Sequence, residues 1–177
     1  LMRAAAQVLR DRTDDYSRLM AEEMGKPVAQ GKAEVEKCAW VCDYYAEHAE
    51  SFLESEPVET DAQKSFVALR PIGVVLAVMP WNVPLWQLFR FGAPALMAGN
   101  AVRLKHAPTV PGCALAIESI LREALESSGA PPALVANAFL SLELCAEAIT
   151  APEIRAVTLT GSTRAGRSVA AQAGAAL

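Results

Sequence analysis

Apolar residues in the first 55 positions recur at helical spacing among Ala, Glu, Arg and Leu, and this pattern predicts helices. Within this stretch Glu23-Met24-Gly25-Lys26-Pro27 reads as a helix end. Gly25 permits a left-handed cap and Pro27 resists continuation, so a second helix is expected from there to about residue 53. In residues 57–70, Pro57, Val58, Thr60, Phe66, Val67 and Leu69 are interleaved with polar positions, which predicts extended structure, a hairpin arm reaching beyond the main body.

From Pro71 onward, short β-branched runs alternate with longer helical patterns. Strands are predicted at 74–79, 101–105, 134–140 and 156–160, and helices at 85–98, 110–127, 142–149 and from 164 on. Such alternation predicts an α/β fold, a parallel sheet covered by helices. Turn chemistry agrees: Gly99-Asn100 ends one helix, Gly129 before Pro131-Pro132 ends the next, and Thr109 is expected to cap a helix whose first turn accommodates Pro111. In open parallel sheets ligands settle at the carboxyl ends of the strands, where Asn82, Lys105 and Ser162 are expected to fall.

A chain of 177 residues with 53% hydrophobic content can fill the core of one domain. Its net charge of -4, with no basic block, invites neither nucleic acid nor an anionic membrane surface. Residues 71–89 carry no charge, but Pro80, Asn82 and Pro84 interrupt them, so a buried strand and helix explain them better than a membrane span. Arg3, Gln7 and Arg10 break the apolar run that a signal peptide needs, which makes the cytoplasm the expected compartment. Cys38, Cys42, Cys113 and Cys145 are scattered without zinc-ribbon spacing, and His48 and His106 lie far apart. Reduced, buried thiols are therefore expected, and no metal site.

Chemistry concentrates after the predicted strands. At Gly161-Ser162 a strand gives way to a helix, so free amides and a hydroxyl face outward and suit a phosphate, although a glycine turn with a serine cap accounts for the same residues. Lys105 ends an apolar strand, where its cation is either solvated or within reach of a nucleotide's hydroxyls and phosphates. Asn82, a polar side chain in an apolar run, either makes a turn between prolines or donates to a developing oxyanion. Val83, Trp86 and Arg90 fall along one face of a helix starting near Pro84. An Arg in that place is either a surface residue or a planar fork for a substrate carboxylate.

Pro80-Trp81-Asn82-Val83-Pro84, Asn100-Ala101-Val102-Arg103-Leu104-Lys105 and Leu159-Thr160-Gly161-Ser162, in this order, resemble the aldehyde dehydrogenase superfamily, with the closest likeness to succinate-semialdehyde dehydrogenases. The resemblance extends back to Glu23-Met24-Gly25-Lys26-Pro27 and so covers most of the chain. It implies helices over 1–56, an oligomerisation arm over 57–70 and a Rossmann-like NAD(P)-binding domain over 71–177. It further implies dinucleotide contacts from Trp81, Asn82, Lys105, Pro108, Gly161 and Ser162, and oxyanion stabilisation by Asn82. Val83, Trp86 and Arg90 would meet the substrate, a small aldehyde with a carboxylate such as succinate semialdehyde, and the whole protein would be a homodimer or homotetramer.

The chain also departs from the family pattern. The family's Glu-Leu-Gly-Gly segment and nucleophilic Cys are absent and would lie beyond Leu177, so the 177 residues read as the N-terminal piece of a longer protein, inactive alone. Cys113 and Cys145 sit in helical contexts unsuited to the nucleophile, although Cys113, near a helix start, is expected to have a somewhat lowered pKa. Pro108 stands where many relatives carry a glutamate that repels a 2′-phosphate, so NADP is expected to be tolerated beside NAD. Val83 replaces a frequent Phe and opens the acyl tunnel. Two other readings remain: a dinucleotide-binding module without catalysis, and an assembly module built on residues 1–70. Expressed alone, the piece is expected to aggregate through its unpaired sheet edge.

Overall fold

The computed structural model describes residues 1–176, which form seven helices and six strands. Helix α1 (Met2–Asp11) and helix α2 (Thr13–Met24) break at Arg12, and Gly25, at φ 71°, closes α2 with a left-handed cap. Helix α3 (Val28–Phe52) follows Pro27 and buries the stripe Gly31, Glu34, Val35, Cys38, Ala39, Val41 and Cys42. Within 57–70 regular pairing is brief: β1 (Glu56–Pro57) and β2 (Phe66–Val67) form a two-stranded antiparallel ribbon whose residues are exposed.

The sheet comprises β3 (Val74–Met79), β4 (Ala101–His106), β5 (Val135–Asn137) and β6 (Ile154–Leu159), all parallel, in the order β5-β4-β3-β6. The strand expected over 134–140 shortens to three residues: the Ala138 amide makes a last bond to the Leu104 carbonyl of β4, and the chain then turns, with the Leu140 amide bonded back to the Ala138 carbonyl. Helices α4 (Pro84–Met97), α5 (Pro111–Ser128), α6 (Leu142–Thr150) and α7 (Thr163–Ala175) complete the alternation.

Strand alternation sorts these helices into two layers. Ala77 and Met79 of β3 pack into a large core with α1 to α5, whereas Leu76 and Val78 pack against Cys145 and Ile149 of α6 and Val169 and Ala173 of α7. The strands wind from β3 through β4 to β5 and then return to the other side of β3 at β6, so the order reverses between β3 and β6. Such reversal points open a crevice at the carboxyl ends of the strands. Among the described residues no helix is long and apolar enough to cross a membrane.

Candidate functional site

Register brings the motifs to one end of the sheet. Lys105, Val78 and Leu159 share a row across β4, β3 and β6. Asn82 follows β3 and Ser162 follows β6, so the two stand on either side of the reversal point with Lys105 one strand further on. Trp81, 51% exposed, and exposed Asn82 occupy the turn between β3 and α4. Pro108 is exposed just beyond β4, and Lys105 is half-buried and carries no ion pair among the described residues.

Ser162 caps α7, its Oγ accepting from the Ala165 amide at 3.2 Å. The Thr163 and Arg164 amides, which a helix start leaves without intrahelical partners, remain open to a ligand. Gly161 is not among the positive-φ glycines, so its backbone conformation does not call for glycine. These features fit a dinucleotide: unpaired amides and a cation for phosphates and hydroxyls, and a residue without a side chain where a ligand approaches.

The substrate-side residues divide. Val83 and Trp86 line one groove of about 240 Å³ together with Gln30, Ala33 and Lys37, whose Nζ stands 4.1 Å from the Trp86 ring centroid. Arg90, a turn further along α4, instead donates from Nη2 to Thr160 Oγ1 at 2.8 Å.

Beneath the Pro80–Pro84 turn lies a buried polar layer. Glu34 Oε1 accepts from the Leu85 and Trp86 amides at 2.9 and 3.0 Å, and its Oε2 pairs with Lys26. His106 accepts from the Ala107 amide at Nδ1 (2.9 Å), which leaves Nε2 to donate to the Pro84 carbonyl at 3.0 Å. Desolvation lowers the His106 pKa despite the opposing effect of the Pro84 bond, so the ring stays neutral in this role. Glu23 does for α5 what Thr109 was expected to do: Val110 is the cap residue, and the Glu23 carboxylate accepts from Gly112 and Cys113 at 2.6 and 2.8 Å.

All four thiols are free and buried. The expected lowering at Cys113 is reversed, because burial, and then its hydrogen bond to Glu23, push the thiol up. Burial also raises Cys38 and Cys145, and pushes Cys42 up to about 12.

The whole chain matches a known family: residues 1–177 fit the aldehyde dehydrogenase family model. The chain belongs to the aldehyde dehydrogenase family. It is 52% identical over 172 residues to a probable succinate-semialdehyde dehydrogenase [NADP(+)] of Synechocystis, covering 97% of this chain and 37% of that protein. It is 42% identical over 176 residues to succinate semialdehyde dehydrogenase [NAD(P)+] Sad of Escherichia coli, covering 99% of this chain and 37% of the relative. Among solved structures, succinic semialdehyde dehydrogenase from Streptococcus pyogenes in complex with NADP+ superposes with a TM-score of 0.92 at 36% identity, over 99% of this chain and 38% of that one. The chain thus spans about 37% of the length of the curated relatives it matches. The parallel sheet with flanking helices is the Rossmann-like part of this family's fold.

Sequence reasoning placed Asn82, Lys105 and Ser162 at one sheet end but missed Glu34, Lys26 and Glu23 as supports. One signal for Glu34 was present: a carboxylate on the otherwise apolar stripe Gly31, Val35, Cys38 and Cys42 of α3.

Proposed function

We propose that the protein containing this chain oxidises succinate semialdehyde to succinate with NAD or NADP. The gathering of Asn82, Lys105 and Gly161-Ser162 around the strand-order reversal carries this reading, and the names of the relatives support it. When bound, the nicotinamide accepts a hydride from the substrate carbon. Trp81 and Pro108 border its site, Lys105 holds its hydroxyls, and the open α7 amides next to Gly161 and Ser162 hold its phosphates. Without a carboxylate at 108, a 2′-phosphate meets no like charge there, so NADP is accepted as well as NAD.

Asn82 donates its side-chain amide to the aldehyde oxygen as negative charge builds there. Val83 and Trp86 border the carbon chain, and Arg90 leaves Thr160 to grip the distal carboxylate with two parallel hydrogen bonds. The buried thiols of this chain, with their raised pKa values, take no part as nucleophile. Residues 1–56, 57–70 and 71–177 act as helical support, assembly arm and cofactor domain. Exposed Val58, Phe66, Val67 and Leu69 on the arm suit subunit contacts in a homodimer or homotetramer, and the unpaired thiols suit the cytoplasm.

The test is steady-state kinetics of the full-length protein with succinate semialdehyde and either cofactor. Asn82→Ala is expected to lower kcat by about 10² to 10³. Absence of aldehyde-dependent cofactor reduction would refute the reading.

A further inference from the structure

Three consecutive residues at the start of α4 are gripped by side chains from other elements. His106 of β4 donates to the Pro84 carbonyl at 3.0 Å, and Glu34 of α3 accepts from the Leu85 and Trp86 amides at 2.9 and 3.0 Å. The Glu34 side chain is 4% exposed and that of its partner Lys26 7%. A neutral acceptor could satisfy two amides, and burying an ion pair incurs a desolvation cost that its attraction need not offset. The carboxylate under the helix start is paired with Lys26, which lies between Gly25's left-handed cap and Pro27.

This grip has a chemical consequence. A helix start offers several free amides, any of which could compete for a nearby anion. Here Pro84 has no N–H, Leu85 and Trp86 are taken by Glu34, and the Gln87 amide is taken by the Val83 carbonyl at 3.0 Å. With the α4 amides so occupied, they do not compete with the Asn82 side chain, exposed two residues before the helix, for an anion at this turn.

We propose that Glu34 is a positioning residue that aims the Asn82 amide by fixing the first turn of α4 through its bonds to the Leu85 and Trp86 amides. The proposal rests on the oxyanion role given to Asn82 under Proposed function. Misplacing a catalytic group by about 1 Å costs on the order of 10²-fold in rate. Cofactor contacts from Lys105 and Gly161-Ser162 sit on other strands and would not feel the change.

The test is a mutant cycle in the full-length protein, reading kcat and cofactor Kd. Glu34→Ala is expected to lower kcat on the order of 10- to 100-fold with Kd unchanged, and to cost nothing further in an Asn82→Ala background. Glu34→Gln combined with Lys26→Met keeps an acceptor for the two amides without leaving a buried unpaired cation. It is expected to restore most of kcat, and it supplies the reading if Glu34→Ala fails to fold. The proposal is overturned if Glu34→Ala costs the same factor with and without Asn82, if Kd rises in step with the fall in kcat, or if the paired Gln–Met variant is as slow as Glu34→Ala. Asn82→Ala with unchanged kcat would instead overturn the parent oxyanion reading, so the two failures are told apart.

Discussion

Arg90 on α4 donates to the Thr160 hydroxyl at the end of β6 at 2.8 Å, a contact that spans the crevice where the strand order reverses. A guanidinium satisfied by one neutral hydroxyl can exchange that partner for a carboxylate, which brings the opposite charge and two oxygens that match the planar fork. Arg90→Lys keeps the charge and loses the planar fork. It is expected to raise KM for succinate semialdehyde about 10-fold or more while leaving butanal, which lacks the carboxylate, unaffected. Equal changes for both substrates would contradict a carboxylate grip.

Capping of α5 separates two residues that the sequence alone could not rank. Glu23 accepts from Gly112 and Cys113, whereas Thr109 makes no cap bond. Glu23→Ala is therefore expected to cost about 1–2 kcal/mol, seen as a lower urea midpoint, with Thr109→Ala near neutral. The reverse order would restore Thr109 as the cap.

The thiols should be chemically quiet. Burial raises all four pKa values, to about 12 at Cys42, so the thiolate fraction near neutral pH is negligible. Iodoacetamide treatment of the native full-length protein, followed by peptide mass mapping, should leave Cys38, Cys42 and Cys113 unlabelled until denaturant is added. Rapid native labelling of Cys113 would mean that its burial beside Glu23 is wrong.

What could be read from the sequence follows from the range of the forces involved. Strands β3, β4 and β6 and helices α3 to α7 announce themselves through periodicity, glycine caps and prolines, all local effects. Placing Asn82, Lys105 and Ser162 at one end of the sheet needed only strand direction. Lys26, Glu34, Glu23 and His106 act across 8 to 90 residues of chain separation, through bonds that exist only once α2, α3, β4 and α5 have packed. Cys113 was misjudged for the same reason: packing buries the thiol, which raises its pKa, and Glu23 has occupied the amides of the helix start that would have lowered it.

His106 should impose a pH dependence of known sign. Its folded pKa lies below the ordinary value of 6.5, chiefly through desolvation. Above that value the ring is neutral in both the folded and the unfolded chain, and its two hydrogen bonds contribute fully. As pH falls below 6.5 the unfolded chain takes up a proton first, so stability is lost progressively until the lowered folded pKa is passed. Protonation also turns Nδ1 from an acceptor into a donor facing the Ala107 amide, which removes that bond. His106→Asn lacks this titration. The stability advantage of the parent protein over the variant should therefore be largest at about pH 8 and shrink toward about pH 5, as urea unfolding at the two values would measure. A constant difference would mean that the ring keeps its ordinary pKa, and a growing one that it binds its proton more tightly when folded.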